Sequence, residues 1–191
     1  MTTKKIKKPT IIALIIIAIL LVAFAIFLPL YLKANQGQRE LYEEEKIKFV
    51  AYGEHIGTYT LSELLALDGV KEETFKDIYD TSTSEAVEKT YTGIELKTVL
   101  KALEVDATIA RDIILKAKDG ANKIYSAEDV FLKSKNVFIA YKVNGVDFNK
   151  GIKANAPTLE GEDGGPFVVI RVADTFSQHR CKLLTEIEIT N

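Results

Sequence analysis

The chain has little of what most enzyme sites are built from: one cysteine, Cys181, two histidines, His55 and His179, and no tryptophan in 191 residues. A single thiol cannot close an internal disulfide, so stability must come from packing. No CxxC, HxxxH or HExxH spacing occurs, which removes the usual zinc arrangements. The glycine patterns of a P-loop or a dinucleotide fold and the GxSxG elbow of serine hydrolases are also missing. Asp119-Gly120 and the Glu160–Asp163 cluster lack the alternating oxygen ligands of an EF-hand loop and read as solvated turns.

Charge is missing from one long stretch. Ile11 to Leu32 is 22 residues without a charged side chain, about 33 Å as a helix at about 1.5 Å per residue and enough to cross a bilayer. Lys4, Lys5, Lys7 and Lys8 precede it, so the positive-inside rule puts residues 1–10 in the cytoplasm and the remainder outside. The alternative is a cleaved signal peptide, whose apolar core is shorter, about 7–15 residues. The expected organisation is a basic N-terminus at 1–10, a single-pass anchor at 11–32, a polar tether at 33–46 that could be helical, and an ectodomain at 47–191. The lipid bilayer is the partner of residues 11–32.

From Asn35 onward the chain carries all 27 acidic residues and 20 of the 25 basic ones, a formal charge of −7. That balance argues against nucleic acid as a partner. Strands are expected over 47–53, 113–117, 136–143, 167–172 and 183–190, with one or two exposed strands over 73–91. Capping-box signatures at Thr60–Glu63 and Thr92–Glu95, and Ser126 ahead of Asp129, predict three short helices. Asn144-Gly145 predicts a hairpin. The apolar residues of 136–143 and 167–172 fall on both parities, as in strands covered on both faces. The fold class is α+β, with mixed β-sheets and short helices.

Cys181 draws attention because His179, Arg180 and Lys182 surround it. If the last strand runs back without a bulge, alternation puts His179 and Cys181 on the core face with Leu183 and Ile187, and turns Arg180 and Lys182 away. The thiol then reads as a small apolar core residue. Gly164-Gly165 with Arg171, His179, Arg180 and Lys182 remains: glycines admit close backbone contact, and the cations suit phosphate or carboxylate. A solvated basic face is the competing reading.

The order of several short motifs is more specific. Tyr59-Thr-Leu-Ser-Glu-Leu-Leu65, Tyr91-Thr-Gly-Ile-Glu-Leu-Lys-Thr-Val-Leu100, Tyr125-Ser-Ala-Glu-Asp129, Phe138-Ile-Ala-Tyr-Lys-Val-Asn-Gly145, Asp163-Gly-Gly-Pro-Phe167 and Lys182-Leu-Leu-Thr-Glu-Ile-Glu-Ile189 follow one another. The succession, over roughly residues 45–190, resembles the molybdopterin-binding oxidoreductase domain of the sulfite oxidase type. The resemblance implies that Asp163, Gly164, Gly165, Pro166, His179 and Lys182 lie near a pterin cofactor and its phosphate. Arg180 is an extra cation rather than a match, Arg171 is a further cation of the basic cluster, and Tyr91 or Phe176 is the expected stacking face of such a ligand. In that family a cysteine ligates molybdenum upstream of the second motif. The matching stretch here, residues 75–84, has none, so molybdenum is not expected. The implied function is a membrane-anchored, extracytoplasmic module binding a pterin or molybdopterin-like heterocycle. Alternatives are a molybdopterin-dependent oxidoreductase with another metal ligand, a subunit working with an envelope redox or sensor protein, and a ligand-free interaction domain.

Overall fold

The computed structural model describes residues 8–34, 36–81, 84–106, 108–131, 137–150, 163–172, 174 and 176–191. Lys4, Lys5, Lys7 and positions 160–162 of the acidic cluster lie outside the described residues. The chain divides into two compact units, Met1–Gly37 and Gln38–Asn191.

In the first unit, helix α1 (Lys8–Ala34) contains Leu14–Lys33, long and apolar enough to cross a membrane by length and composition. A signal sequence passes the same test.

The second unit is mixed α and β. Its elements are α2 (Gln36–Glu43, counted here from Gln38), β1 (Lys46–Ala51), β2 (Glu54–Thr60), α3 (Leu61–Leu65), β3 (Glu72–Thr81), β4 (Ser84–Glu95) and α4 (Leu96–Ala102). After these come β5 (Asp112–Ala117), β6 (Asn122–Ser126), α5 (Ala127–Phe131), β7 (Val137–Val143), β8 (Val146–Asp147) and β9 (Asn149–Lys150). The chain closes with β10 (Asp163–Gly165), β11 (Val168–Arg171), a 3-10 turn at Ser177–His179 and β12 (Leu184–Thr190). One sheet has the order β2-β1-β12-β5-β6, with β12 parallel to β1 and antiparallel to β5. The second runs β11-β7-β4-β3, with β8 paired to β7, and β9 and β10 form a small parallel pair.

The apolar runs on both parities find their explanation here. Val137, Ile139 and Tyr141 of β7, with Phe167 and with Val169 of β11, join the main core between the sheets and helices. Their alternates Ala140, Val168 and Ile170 join Tyr91, Phe148 and Val143 in a second cluster on the other face; Val143 changes face because the β4–β7 register shifts at Tyr141. Four rings line up there: Phe75 stacks on Phe138 (4.1 Å between centroids) and on Tyr91 (5.7 Å), and Tyr91 on Phe148 (6.2 Å).

The capping box at Thr60 forms as expected, with Glu63 accepting from the Thr60 amide at 2.7 Å and Thr60 Oγ1 accepting from Glu63 N. Ser126 Oγ accepts from Asp129 N at 3.1 Å. The expected box at Thr92–Glu95 does not form. Those residues belong to β4, whose pairing to β7 shifts between Thr92 and Gly93, and α4 starts only at Leu96. Asn144 (φ 50°) and Gly145 (φ 80°) make the hairpin turn between β7 and β8. Of the tether expected at 33–46, residues 38–46 belong to the second unit: Tyr42 is buried in the core, and Gln38 Nε2 donates to Glu186 at 3.1 Å.

Candidate functional site

A cavity of about 490 Å³ opens where four separate stretches meet: the turn before β1, the β2–α3 junction, the β7–β8 hairpin and the Gly-Gly-Pro turn. Leu61, Leu65, Tyr141, Phe148, Pro166 and Phe167 supply its apolar and aromatic wall. Glu44, Glu45, Thr60, Ser62 and Asp147 supply its polar lining, and the described lining contains no Lys, Arg or His. Its size is that of a small-molecule site, and its mixture of apolar wall with a few polar groups is the usual one.

Local structure explains how the wall is held. The Asn144-Gly145 turn folds β8 back on β7, which brings Asp147 and Phe148 beside Tyr141, and Phe148 N donates to Tyr141 O at 3.1 Å. The Tyr141 hydroxyl donates to Glu72. Burial, then this hydrogen bond and the charges of Glu72 and Asp147, push its phenol well above the usual tyrosine range. Charge at the mouth is partly compensated: Lys46 Nζ lies 2.8 Å from Glu44, and Lys142 Nζ lies 5.6 Å from the Tyr141 ring centroid.

The Gly-Gly-Pro turn is adjacent, and its glycines are required by this chain's own packing. Gly164 has φ +110°, and a Cβ on it would meet Lys182 Cβ at 2.7 Å. A Cβ on Gly165 would meet Phe148 Cβ at 2.6 Å and its carbonyl oxygen at 2.7 Å. The Gly165–Pro166 peptide is cis.

Of the residues singled out in the sequence, Pro166 lines the cavity. Asp163 lies on β10 by its backbone, and its side chain is outside the described residues. Arg180, expected to turn away from the core, is instead 4% exposed. It donates to Asp77 Oδ2 (2.8 Å), the Tyr91 hydroxyl (2.7 Å) and the Ile78 carbonyl (3.1 Å). Tyr91 has no exposed surface, and its ring is stacked within the cluster. Arg171 pairs with Asp129 (2.8 Å) and Asp174 (2.7 Å) and lies over Tyr125. Lys182 extends along Gly164 toward the Tyr79 hydroxyl, at 3.4 Å. Phe176 and His179 are exposed.

The unbulged strand expected back to His179 is also replaced. Residues 177–179 form the 3-10 turn, Leu183 has φ +55°, and the pairing shifts between Leu184 and Glu186. Cys181 is nonetheless buried, bridged to Val169 in the main core. Burial pushes its thiol up to about 12, opposite to what a nucleophile needs.

Sequence reasoning did not single out Glu44, Glu45, Tyr141, Asp147, Phe148 or Phe167 as site residues. The available signal was the Phe138–Gly145 motif and its hairpin, which carries Tyr141 and leads directly into Asp147 and Phe148. No family model matches the chain, and no curated protein is significantly similar to it.

Proposed function

We propose that this chain is a membrane-anchored, extracytoplasmic binding module on a sulfite oxidase-like fold that holds a flat heterocycle of the pterin type. The observation that carries the reading is the cavity walled by Tyr141, Phe148, Pro166 and Phe167. Two motifs of the resemblance, the Phe138–Gly145 hairpin and the Gly-Gly-Pro turn, contribute to that wall. The apolar surface that Tyr141, Phe148, Pro166 and Phe167 leave on the cavity suits a flat ring, and the hydroxyls and carboxylates around them suit its ring N–H groups. The anchor is α1, with the lysine-rich end inside.

The binding site in this reading moves from the cationic run at 179–182 to the cavity. Arg171 and Arg180 are engaged by Asp129, Asp174 and Asp77, so neither is offered to a phosphate. The residues lining the cavity do not fit the phosphate arm of molybdopterin. The lack of a thiolate in residues 75–84 supports binding without molybdenum redox chemistry.

Thermal unfolding of the full chain in detergent micelles, with a panel of pterins and flavins, tests the reading. A ligand at about 100 times its dissociation constant stabilises by about 2.7 kcal/mol, a clear upward shift in Tm. If no member of the panel raises Tm, heterocycle binding is rejected and the ligand-free interaction domain becomes the better account.

A further inference from the structure

We infer that the cavity selects an unphosphorylated heterocycle through its N–H edge, with Asp147 as the residue that sets this specificity. The inference rests on the heterocycle reading above and goes beyond it by naming the ligand's charge and hydrogen-bonding class.

The lining holds three carboxylates, Glu44, Glu45 and Asp147, and three hydroxyls, Thr60, Ser62 and Tyr141, the last already donating to Glu72. Ionised carboxylates only accept hydrogen bonds, so the ligand must donate. Thr60 and Ser62 add little competing demand, since Thr60 Oγ1 already donates to Glu63 at 2.8 Å and lies 3.1 Å from Ser62 Oγ. The three acids are not equivalent. Glu44 is paired with Lys46, and Glu45 sits at the turn into β1 with φ 53°. Asp147 alone is carried by the β7–β8 hairpin that brings Tyr141 and Phe148 to the wall; it is exposed, and its register partner across the hairpin is Lys142.

A carboxylate in that position matches the paired N–H donors of a 2-amino-4-oxo-pyrimidine ring, which two oxygens can accept in parallel as they accept a guanidinium. A phosphate on the same ligand would bring like charge toward Glu44, Glu45 and Asp147, which Lys46 and Lys142 at the mouth offset only in part, and this disfavours it.

Three probes separate the possibilities in calorimetric titration of the full chain in micelles. They are pterin, lumazine (oxygen in place of the 2-amino group) and the monophosphate of 6-hydroxymethylpterin. Pterin should bind about tenfold or more tightly than lumazine, the scale of one lost hydrogen bond to a charged group. The monophosphate should bind more weakly than pterin, and more so at low salt. Asp147→Asn should weaken pterin while leaving lumazine nearly unchanged, with an unaltered Tm reporting an intact fold. Equal binding of all three probes, or tighter binding of the monophosphate, overturns the donor-edge inference while leaving heterocycle binding intact. Retained pterin preference in Asp147→Asn removes Asp147 from the role. If none of the three binds, both the inference and the heterocycle reading fall.

Discussion

Arg180 and Asp77 form an ion pair at 2.8 Å with side chains only 2% and 5% exposed. The pair joins the segment after the 3-10 turn to β3, and the Tyr91 hydroxyl on β4 accepts from the same guanidinium. Removing one partner strands a charge where water cannot reach it, which costs about 3–5 kcal/mol. Asp77→Ala should therefore lower the stability of the second unit by that order in urea unfolding. A joint Asp77→Leu, Arg180→Met replacement should recover much of the loss, since a buried pair is often replaceable by apolar groups of similar volume. A double variant no more stable than Asp77→Ala would show that the guanidinium holds this region through Tyr91 and Ile78 instead.

Cys181 should be inert in the native protein. Its thiol is 2% exposed and pushed up to about 12, so maleimide at pH 7.5 should label it only after denaturant is added. The folded value lies above the ordinary 9.0, so the stability linked to Cys181 is complete below pH 9.0 and declines as pH rises toward 12. Cys181→Ala should cost about 1 kcal/mol at neutral pH and flatten the alkaline limb of the stability curve. Rapid native labelling would contradict the burial of this strand.

These residues also show how far the sequence could be read. Burial of Cys181 follows from its apolar partners, but the alternation used to expect it failed. A left-handed residue at Leu183 and a bulge beside Glu186 leave no signature in a run of apolar and charged letters. The box at Thr60 was legible because its side-chain bonds span three residues. Thr92–Glu95 has the same letters, yet pairing with β7 outweighs a local cap. The aromatic stack and the cavity were out of reach for a different reason. Phe75, Tyr91, Phe138 and Phe148 meet only through strand pairing, and the cavity lining is gathered from four distant stretches. Arg180 looked like a surface cation because its partner Asp77 lies 103 residues earlier.

The two turn glycines should differ in their tolerance. Gly164→Ala must adopt φ +110° and presses on Lys182 Cβ at 2.7 Å, an atom that moves only with its backbone. Gly165→Ala meets Phe148 Cβ at 2.6 Å and its carbonyl oxygen at 2.7 Å. Overpacking of this kind costs about 1–3 kcal/mol at either position, and the left-handed φ adds strain at Gly164 alone, so Gly164→Ala should lose more stability. Gly165→Ala should be the one that weakens a ligand in the cavity, because Phe148 belongs to the wall. The comparison is made by measuring Tm and pterin affinity side by side; a greater Tm loss in Gly165→Ala would show that the clash with Phe148 outweighs backbone strain.

Glu186 makes the acid limb of stability specific to one cluster. Its side chain is 6% exposed and lies 2.7 Å from Lys116 Nζ and 3.2 Å from Lys48 Nζ, with Gln38 as a third donor. Burial works against the charge, but the two lysines hold the carboxyl below its ordinary 4.5. A depressed folded value means the contribution is present above about pH 4.5 and is lost as pH falls through the folded value. Glu186→Gln should thus be less stable at pH 7 by about 1–3 kcal/mol, the range for a hydrogen bond to a charged group, with the lysines' partial exposure favouring the lower end. Near pH 3 the gap between the two proteins should narrow. A difference unchanged between pH 7 and pH 3 would show that Gln38 and strand pairing hold this position without help from the lysine pair.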